Sequence, residues 1–222
     1  MCGRYTITVT MEELMLRYFT DDSSIVHYAP KFNAAPMQHI PAVIHNGTSN
    51  KLGLLRWGLV PSWAKDEKIG SKMINARAES LLEKVSFKGL IRSRRCLIPA
   101  DGFYEWKQQA GGKLPMRIVL QDRSIFSMAG LYDIWTDASG NKLSTCTIIT
   151  TEANSLMADI HDRMPVILSP EAEAEWLDRS NQDIPSLMRL LRPYDAAQMR
   201  AYKVSSEVGN VRNDYKDLIK EA

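Results

Sequence analysis

Cysteine, histidine and any dominant sign of charge are all scarce in this chain. Its 222 residues include three cysteines, Cys2, Cys96 and Cys146, odd in number and widely spaced, without a Cys-x-x-Cys pair. That pattern argues against a disulfide framework and against structural zinc. The four histidines (His27, His39, His45 and His161) have no metal-ligand spacing, so neither a metal nor a cofactor is expected. Lys and Arg number 28 against 26 Asp and Glu, a net charge of only +2. With no broad positive field, any hold on nucleic acid must come from local Arg and Lys. There is no apolar signal core and no run long enough to cross a bilayer. The chain therefore reads as soluble and cytoplasmic.

What remains is an ordinary globular composition, 45% hydrophobic and 24% charged, of a length that suits one domain over residues 1–222. Thr10 and Glu13 form a capping box, and Met11, Leu14, Met15 and Tyr18 then share a face, predicting a helix to about Phe19. The stretch Asp21 to Pro36 reads as a long polar loop. Ala42–His45 and Lys51–Trp57 read as strands of a hairpin around Asn46-Gly47. A second loop, Pro61 to Lys72, leads to Asn75, which is expected to open a short helix through Leu82. From Cys96 onward, strand signals dominate at 96–98, 103–107, 116–120, 125–131 and 143–150. Ser169-Pro170-Glu171 starts a helix, and Tyr202–Ser205 looks like a late strand. The sum is an α+β domain around a curved, mainly antiparallel, barrel-like sheet with flanking helices.

Several segments carry more polar and aromatic detail than packing requires. In Met1-Cys2-Gly3-Arg4, removal of Met1 would leave Cys2 with a free α-amine and a thiol on adjacent carbons. Such a 1,2-aminothiol condenses with an aldehyde to an imine and then closes to a thiazolidine, both groups being usable near neutral pH. In Asp101-Gly102-Phe103-Tyr104-Glu105-Trp106-Lys107, alternation puts Glu105 on the face of Phe103, where partial burial would suit it to proton transfer. His161, followed by Asp162 and Arg163, can exchange protons near neutrality. Asn75 heads the Asn75-Ala76-Arg77-Ala78-Glu79 segment, and Trp57 and Trp63 flank a Gly/Pro loop whose aromatics can stack on bases. Each has an ordinary alternative: a chance small residue after Met1, a solvated Glu105, an Asp162–Arg163 pair, an N-cap at Asn75, tryptophans in the core. Arg92-Ser93-Arg94-Arg95 reads as a solvated cluster, and Cys96 and Cys146 as inert core thiols.

In this order and spacing, these motifs, with Asn33-Ala34-Ala35-Pro36, Pro61 and His161-Asp162-Arg163-Met164-Pro165, closely resemble the SOS response-associated peptidase (SRAP) family of abasic-site-processing proteins. The resemblance runs from Cys2 to Val208-Gly209-Asn210. It implies a sensor of abasic sites in single-stranded DNA that links itself covalently to the lesion through Cys2. It further implies that Asn75 holds the α-amine, Glu105 shuttles protons and His161 assists ring opening and crosslink release. Arg4, Arg77 and Arg163 would hold phosphates, while Asn33, Pro36, Trp57 and Trp106 would shape the base channel. A β-elimination side activity and autoproteolytic exposure of Cys2 are also implied. Two other readings of the same residues stay open: an N-terminal-nucleophile cysteine peptidase or amidase, and a noncatalytic single-strand binder.

Overall fold

The computed structural model describes residues 2–20, 25 and 27–222. In chain order its strands are β1 (Tyr5–Ile7), β2 (Lys31–Ala34), β3 (His39–His45), β4 (Asn50–Trp57), β5 (Asn75–Arg77), β6 (Arg95–Ala100), β7 (Gly102–Gln109), β8 (Gly112–Leu120), β9 (Phe126–Thr136), β10 (Lys142–Glu152), β11 (Arg163–Pro165), β12 (Ile167–Leu168) and β13 (Met199–Lys203). The helices are short: α1 (Met11–Arg17), α2 (Val85–Lys88), α3 (Leu90–Ser93), α4 (Ser155–Ala158), α5 (Pro170–Leu177) and α6 (Ile184–Arg189).

Five strands close on themselves, because β10 pairs with β4, β4 with β3, β3 with β6, β6 with β9, and β9 again with β10. All of these pairings are antiparallel except β10–β4, so the expected curved, barrel-like and mainly antiparallel sheet is present. Closure leaves no exposed edge on this ring, and its interior is apolar: Ile40, Ala42, Trp57, Cys96, Ile98, Met128, Cys146 and Ile148 are all buried. The second sheet runs β13–β8–β7–β1–β2. Its strand β7 shows the predicted alternation, Phe103 entering the main core while Tyr104 packs with Val204, Val208 and Leu218 on the other side. No helix among the described residues is long and apolar enough to cross a membrane.

Local chemistry explains most element boundaries. The capping box is formed, with Thr10 Oγ1 accepting from Glu13 N at 3.2 Å and Glu13 Oε2 accepting from Thr10 N at 2.6 Å. Ser169 caps α5, whose Trp176 and Leu177 are buried. Asp101 is a structural node rather than part of a reactive pair. Its carboxylate accepts from Thr6 Oγ1, Thr8 N, Thr8 Oγ1 and Arg117, and so fastens β1 to the start of β7. Gly102 is required next to it, since a Cβ there would lie 2.7 Å from Arg117 Nε.

Three expectations need correction. Lys31–Ala34, inside the expected loop, is strand β2, paired with β1 (Tyr5↔Ala34); its polar Asn33 hides the signal. Residues 21–24 and 26 of that stretch lie outside the described residues. Asn75 does not open a helix: parallel pairing with β10 (Ile148↔Asn75) makes it the first residue of β5, and only a 3-10 turn at Ala78–Ser80 follows. Arg95 is not solvated. It is 5% exposed, and its guanidinium donates to the carbonyls of Trp176, Ile91, Arg92, Asp178 and Asn181, so the ends of α3 and α5 converge on a buried cation.

Candidate active site

Strand β1 delivers the start of the chain to β7. Tyr5 pairs with Phe103, and the next ladder bond runs from Tyr104 N to Arg4 O at 3.0 Å, so continuing the antiparallel register brings Cys2 and Gly3 alongside Glu105 and Trp106. Cys2 has no solvent exposure, and its Sγ lies 3.9 Å from Arg4 O. Burial, reinforced by the negative charge of Glu105, pushes the Cys2 thiol well above its ordinary value. Glu105 itself is 3% exposed. Burial raises its carboxyl pKa above the usual carboxylate range, against the lowering pull of His161. Cys2 and Glu105 are therefore a thiol and a carboxyl, each biased toward its protonated form by the same dry environment.

His161 enters from the opposite side, on the loop between α4 and β11, where its N–H donates to Met157 O at 2.8 Å. Its Nε2 is 4.0 Å from Glu105 Oε2. Two different partners meet at Nδ1. The Arg163 backbone N–H donates to it at 3.0 Å, and Asp162 Oδ1 lies 2.8 Å away. One nitrogen cannot serve both at once. Accepting from Arg163 keeps the ring neutral with its proton on Nε2, toward Glu105; facing Asp162 favours a proton on Nδ1.

Asn75 contributes a different signature. Both Nδ2 and Oδ1 of its amide are buried without a hydrogen-bond partner. Leaving such groups unsatisfied costs roughly 1–3 kcal/mol each, a cost that a ligand bonding to the amide would offset. Glu105, Trp106, Lys113, His161 and Gly209 line an open cleft of about 620 Å³.

The expected DNA-contacting residues fall into two groups. Exposed or half-exposed are Arg77, Trp106 and Pro36, the last in the turn between β2 and β3. Trp106 carries the Arg4 guanidinium 6.0 Å from its ring centroid. The others are engaged within the protein. Arg4 donates to Asn33 Oδ1 (3.1 Å), Val208 O (2.8 Å) and Gly209 O (3.3 Å). Asn33 is fully buried, and its Nδ2 reaches the carbonyls of Val208, Asn210 and Asn213. Trp57 is also fully buried, donating Nε1–H to Ile74 O at 2.9 Å and meeting Tyr5 edge-on at 5.5 Å. It supports the site from beneath and presents no face to a base; Trp63, 58% exposed, is the tryptophan open to solvent. Arg163, expected at a phosphate, makes a bidentate pair with Glu79, and not the alternative pair with Asp162.

A family model described as SOS response associated peptidase (SRAP) matches residues 1–211. The chain belongs to the SRAP family. Among SRAP relatives, the abasic site processing protein YoqW of Bacillus subtilis (strain 168) is 53% identical over 222 residues, covering 99% of each chain. The abasic site processing protein HMCES of Gallus gallus is 35% identical over 219 residues, covering 84% of this chain and 65% of its own. A crystal structure of a protein from Bacteroides thetaiotaomicron matches the SRAP fold seen here with a TM-score of 0.86, at 31% identity and with 93% of each chain covered. Sequence reasoning about this SRAP chain did not single out Lys113 or Gln108 at the cleft. Their pairing across the β7–β8 hairpin (Gln108↔Lys113), turning at Ala110-Gly111, is the signal that would have found them.

Proposed function

We propose that this SRAP protein captures abasic sites in single-stranded DNA as a covalent thiazolidine on Cys2, after removal of Met1. The carrying observation is that the buried Cys2 and Glu105 meet the half-buried His161 at the foot of one cleft. The unpartnered buried amide of Asn75 supports the same reading, since it matches an α-amine in need of a hydrogen-bonding partner. An opened abasic deoxyribose offers an aldehyde at C1′. The Cys2 amine adds to it and the carbinolamine loses water to give the imine. The Cys2 S–H then adds across the C=N bond, sulfur bonding to C1′ and the proton passing to nitrogen. Because burial favours the neutral thiol, that proton needs a local carrier, the role assigned to Glu105. His161, facing the same carboxyl, is assigned to sugar ring opening and to release of the link. Arg77 and Arg163 are assigned to flanking phosphates, and Trp106 to a base. Arg4 and Asn33 shape the cleft by holding the 208–213 segment, consistent with their bonds to its carbonyls.

A cysteine peptidase would need an activated thiolate paired with imidazole. Here burial drives the Cys2 thiol the other way, and both nitrogens of His161 face other groups. The test is direct. Intact mass establishes whether Met1 is gone, and the purified protein is incubated with an oligonucleotide carrying one abasic site. A slow-migrating band on a denaturing gel is expected; its absence from protein shown to begin at Cys2 would falsify the proposal.

A further inference from the structure

Arg163 presents a side chain made for phosphate, yet its fork is already filled. Its Nη1 donates to Glu79 Oε1 at 2.6 Å and its Nη2 to Glu79 Oε2 at 3.0 Å. The same Nη2 reaches Thr150 O at 2.8 Å, and Nε is buried without a partner. A guanidinium has five N–H donors. With three directed at Glu79 and Thr150 and a fourth buried at Nε, no pair is left for a bidentate grip on a phosphate. The two partners also differ in freedom: the Arg163 side chain is 12% exposed, while that of Glu79 is 55% exposed on the 3-10 turn after β5. Glu79 is therefore the arm that can leave. Its carboxyl is held below the usual range chiefly by the hydrogen bonds from Arg163, so at neutral pH it is an anion lying where a phosphate would lie. Two residues earlier, Arg77 is exposed and makes no ion pair among the described residues.

We infer that Glu79 is a specificity-determining residue, an internal carboxylate that must be displaced from Arg163 before a DNA phosphate can bind there. This rests on the proposed function. Displacement is easy, since a solvent-facing ion pair contributes little, but the freed carboxylate stays close to the incoming phosphate and repels it. Undamaged strands, which gain nothing from covalent capture, are held weakly as a result. Abasic strands are retained by the bond to Cys2. A simple brace, with Glu79 only holding Arg163 in position, would act in the opposite direction on affinity, and the sign decides between them.

The experiment measures binding of an undamaged single-stranded oligonucleotide at low salt by fluorescence anisotropy for wild type, Glu79→Gln, Glu79→Ala, Arg163→Gln and the double variant Glu79→Gln/Arg163→Gln. Crosslinking to an abasic oligonucleotide is followed in parallel. Both Glu79 variants are expected to bind undamaged DNA about three- to fivefold more tightly than wild type. The gain should disappear when Arg163 is also replaced, as a double-mutant cycle requires of two coupled groups. Equal or weaker binding by both Glu79 variants, or a gain that persists without Arg163, overturns the inference. Wild-type crosslinking with unchanged Glu79-variant affinity removes only this role of Glu79. Failure of wild type both to bind and to crosslink removes the functional reading beneath it as well.

Discussion

His161 Nε2 and Glu105 Oε2 lie 4.0 Å apart, an imidazole from the loop before β11 facing a carboxyl from the middle of β7. The two come from distant parts of the chain, a loop and a strand, so only the assembled fold creates the pair. At that separation one bridging water would complete a proton path between them. In the proposed mechanism, release of the crosslink requires protonation at the sulfur or nitrogen of the ring, and that step is assigned to His161. His161→Ala is expected to slow release by about tenfold or more, a typical contribution of a positioned acid–base group at its lower end. The measurement is exchange of a preformed adduct onto excess competitor abasic DNA. An unchanged release rate would take His161 out of this role.

Glu105 should reveal its strain as stability. Burial raises its folded-state pKa, so folding favours the protonated carboxyl. The stability it contributes is fully present below the unfolded carboxylate pKa of about 4.3, and is lost as pH rises through the folded value. Glu105→Gln is neutral at every pH and keeps the shape. It is therefore expected to raise the thermal midpoint at pH 7 by a few degrees, corresponding to about 1 kcal/mol for a chain of this length, with the gain shrinking toward pH 4. Crosslinking should fall at the same time. A variant less stable than wild type at pH 7 would contradict the account of Glu105 as a poorly solvated acid.

Asn75 allows function and packing to be separated. Because its amide makes no hydrogen bond, replacing it removes no hydrogen bond of the folded chain. Asn75→Leu, close in size and apolar, is expected to leave the thermal midpoint unchanged or raise it, by up to about 1–2 kcal/mol of relieved desolvation. Adduct formation should slow by at least roughly tenfold if, as proposed, the amide holds the freed Cys2 amine. Calorimetry and gel kinetics on the same preparation check both halves. A loss of stability comparable to a core truncation would show that the amide has a structural partner after all.

These cases also mark how far the sequence could be read. Alternation alone placed Glu105 with Phe103 on the inward face of β7, and the capping box of α1 and the β3–β4 hairpin were equally local. Register between distant strands was not local, and the expectations that failed depend on it. Asn75 looked like an N-cap until β10 made it a strand residue, and Lys31–Ala34 looked like a loop until β1 paired with it. Motif residues also divided in a way that spacing could not show. Of Asp101-Gly102-Phe103-Tyr104-Glu105-Trp106, the first four hold sheets together while Glu105 and Trp106 face the cleft. Trp57 and Asn33, expected at the DNA, proved to be wholly interior because their polar atoms are answered by backbone carbonyls.

Asn33 is consequently expected to behave as a structural residue. Its amide accepts from Arg4 and donates to three carbonyls of the 208–213 segment, which Asp214 further pins by accepting from Phe32 N at 2.7 Å. Asn33→Ala leaves these buried groups unanswered, and a destabilisation of about 2–4 kcal/mol is expected. Hydrogen exchange should locate the loss at residues 208–214 and in β2 before it spreads. If Asn33→Ala folds with wild-type stability yet binds DNA poorly, direct contact with DNA would be the better explanation of this residue.

Cys2→Ser tests the ring itself. The α-amine is untouched, so imine formation should proceed at close to the wild-type rate. What changes is the second step, because oxygen is a poorer nucleophile toward the imine carbon than sulfur, and a five-membered ring closed by oxygen reopens more readily. Burial already disfavours a thiolate at this position, so the reaction depends on attack by a neutral S–H whose proton is taken up locally. A hydroxyl in the same place meets the same dry surroundings with weaker intrinsic reactivity. The serine adduct should therefore survive borohydride reduction but decay on heating, with a half-life shorter than the wild-type adduct by roughly tenfold or more. Heat resistance equal to wild type would mean that sulfur does not close a ring, and the link would then have to be assigned to the amine alone.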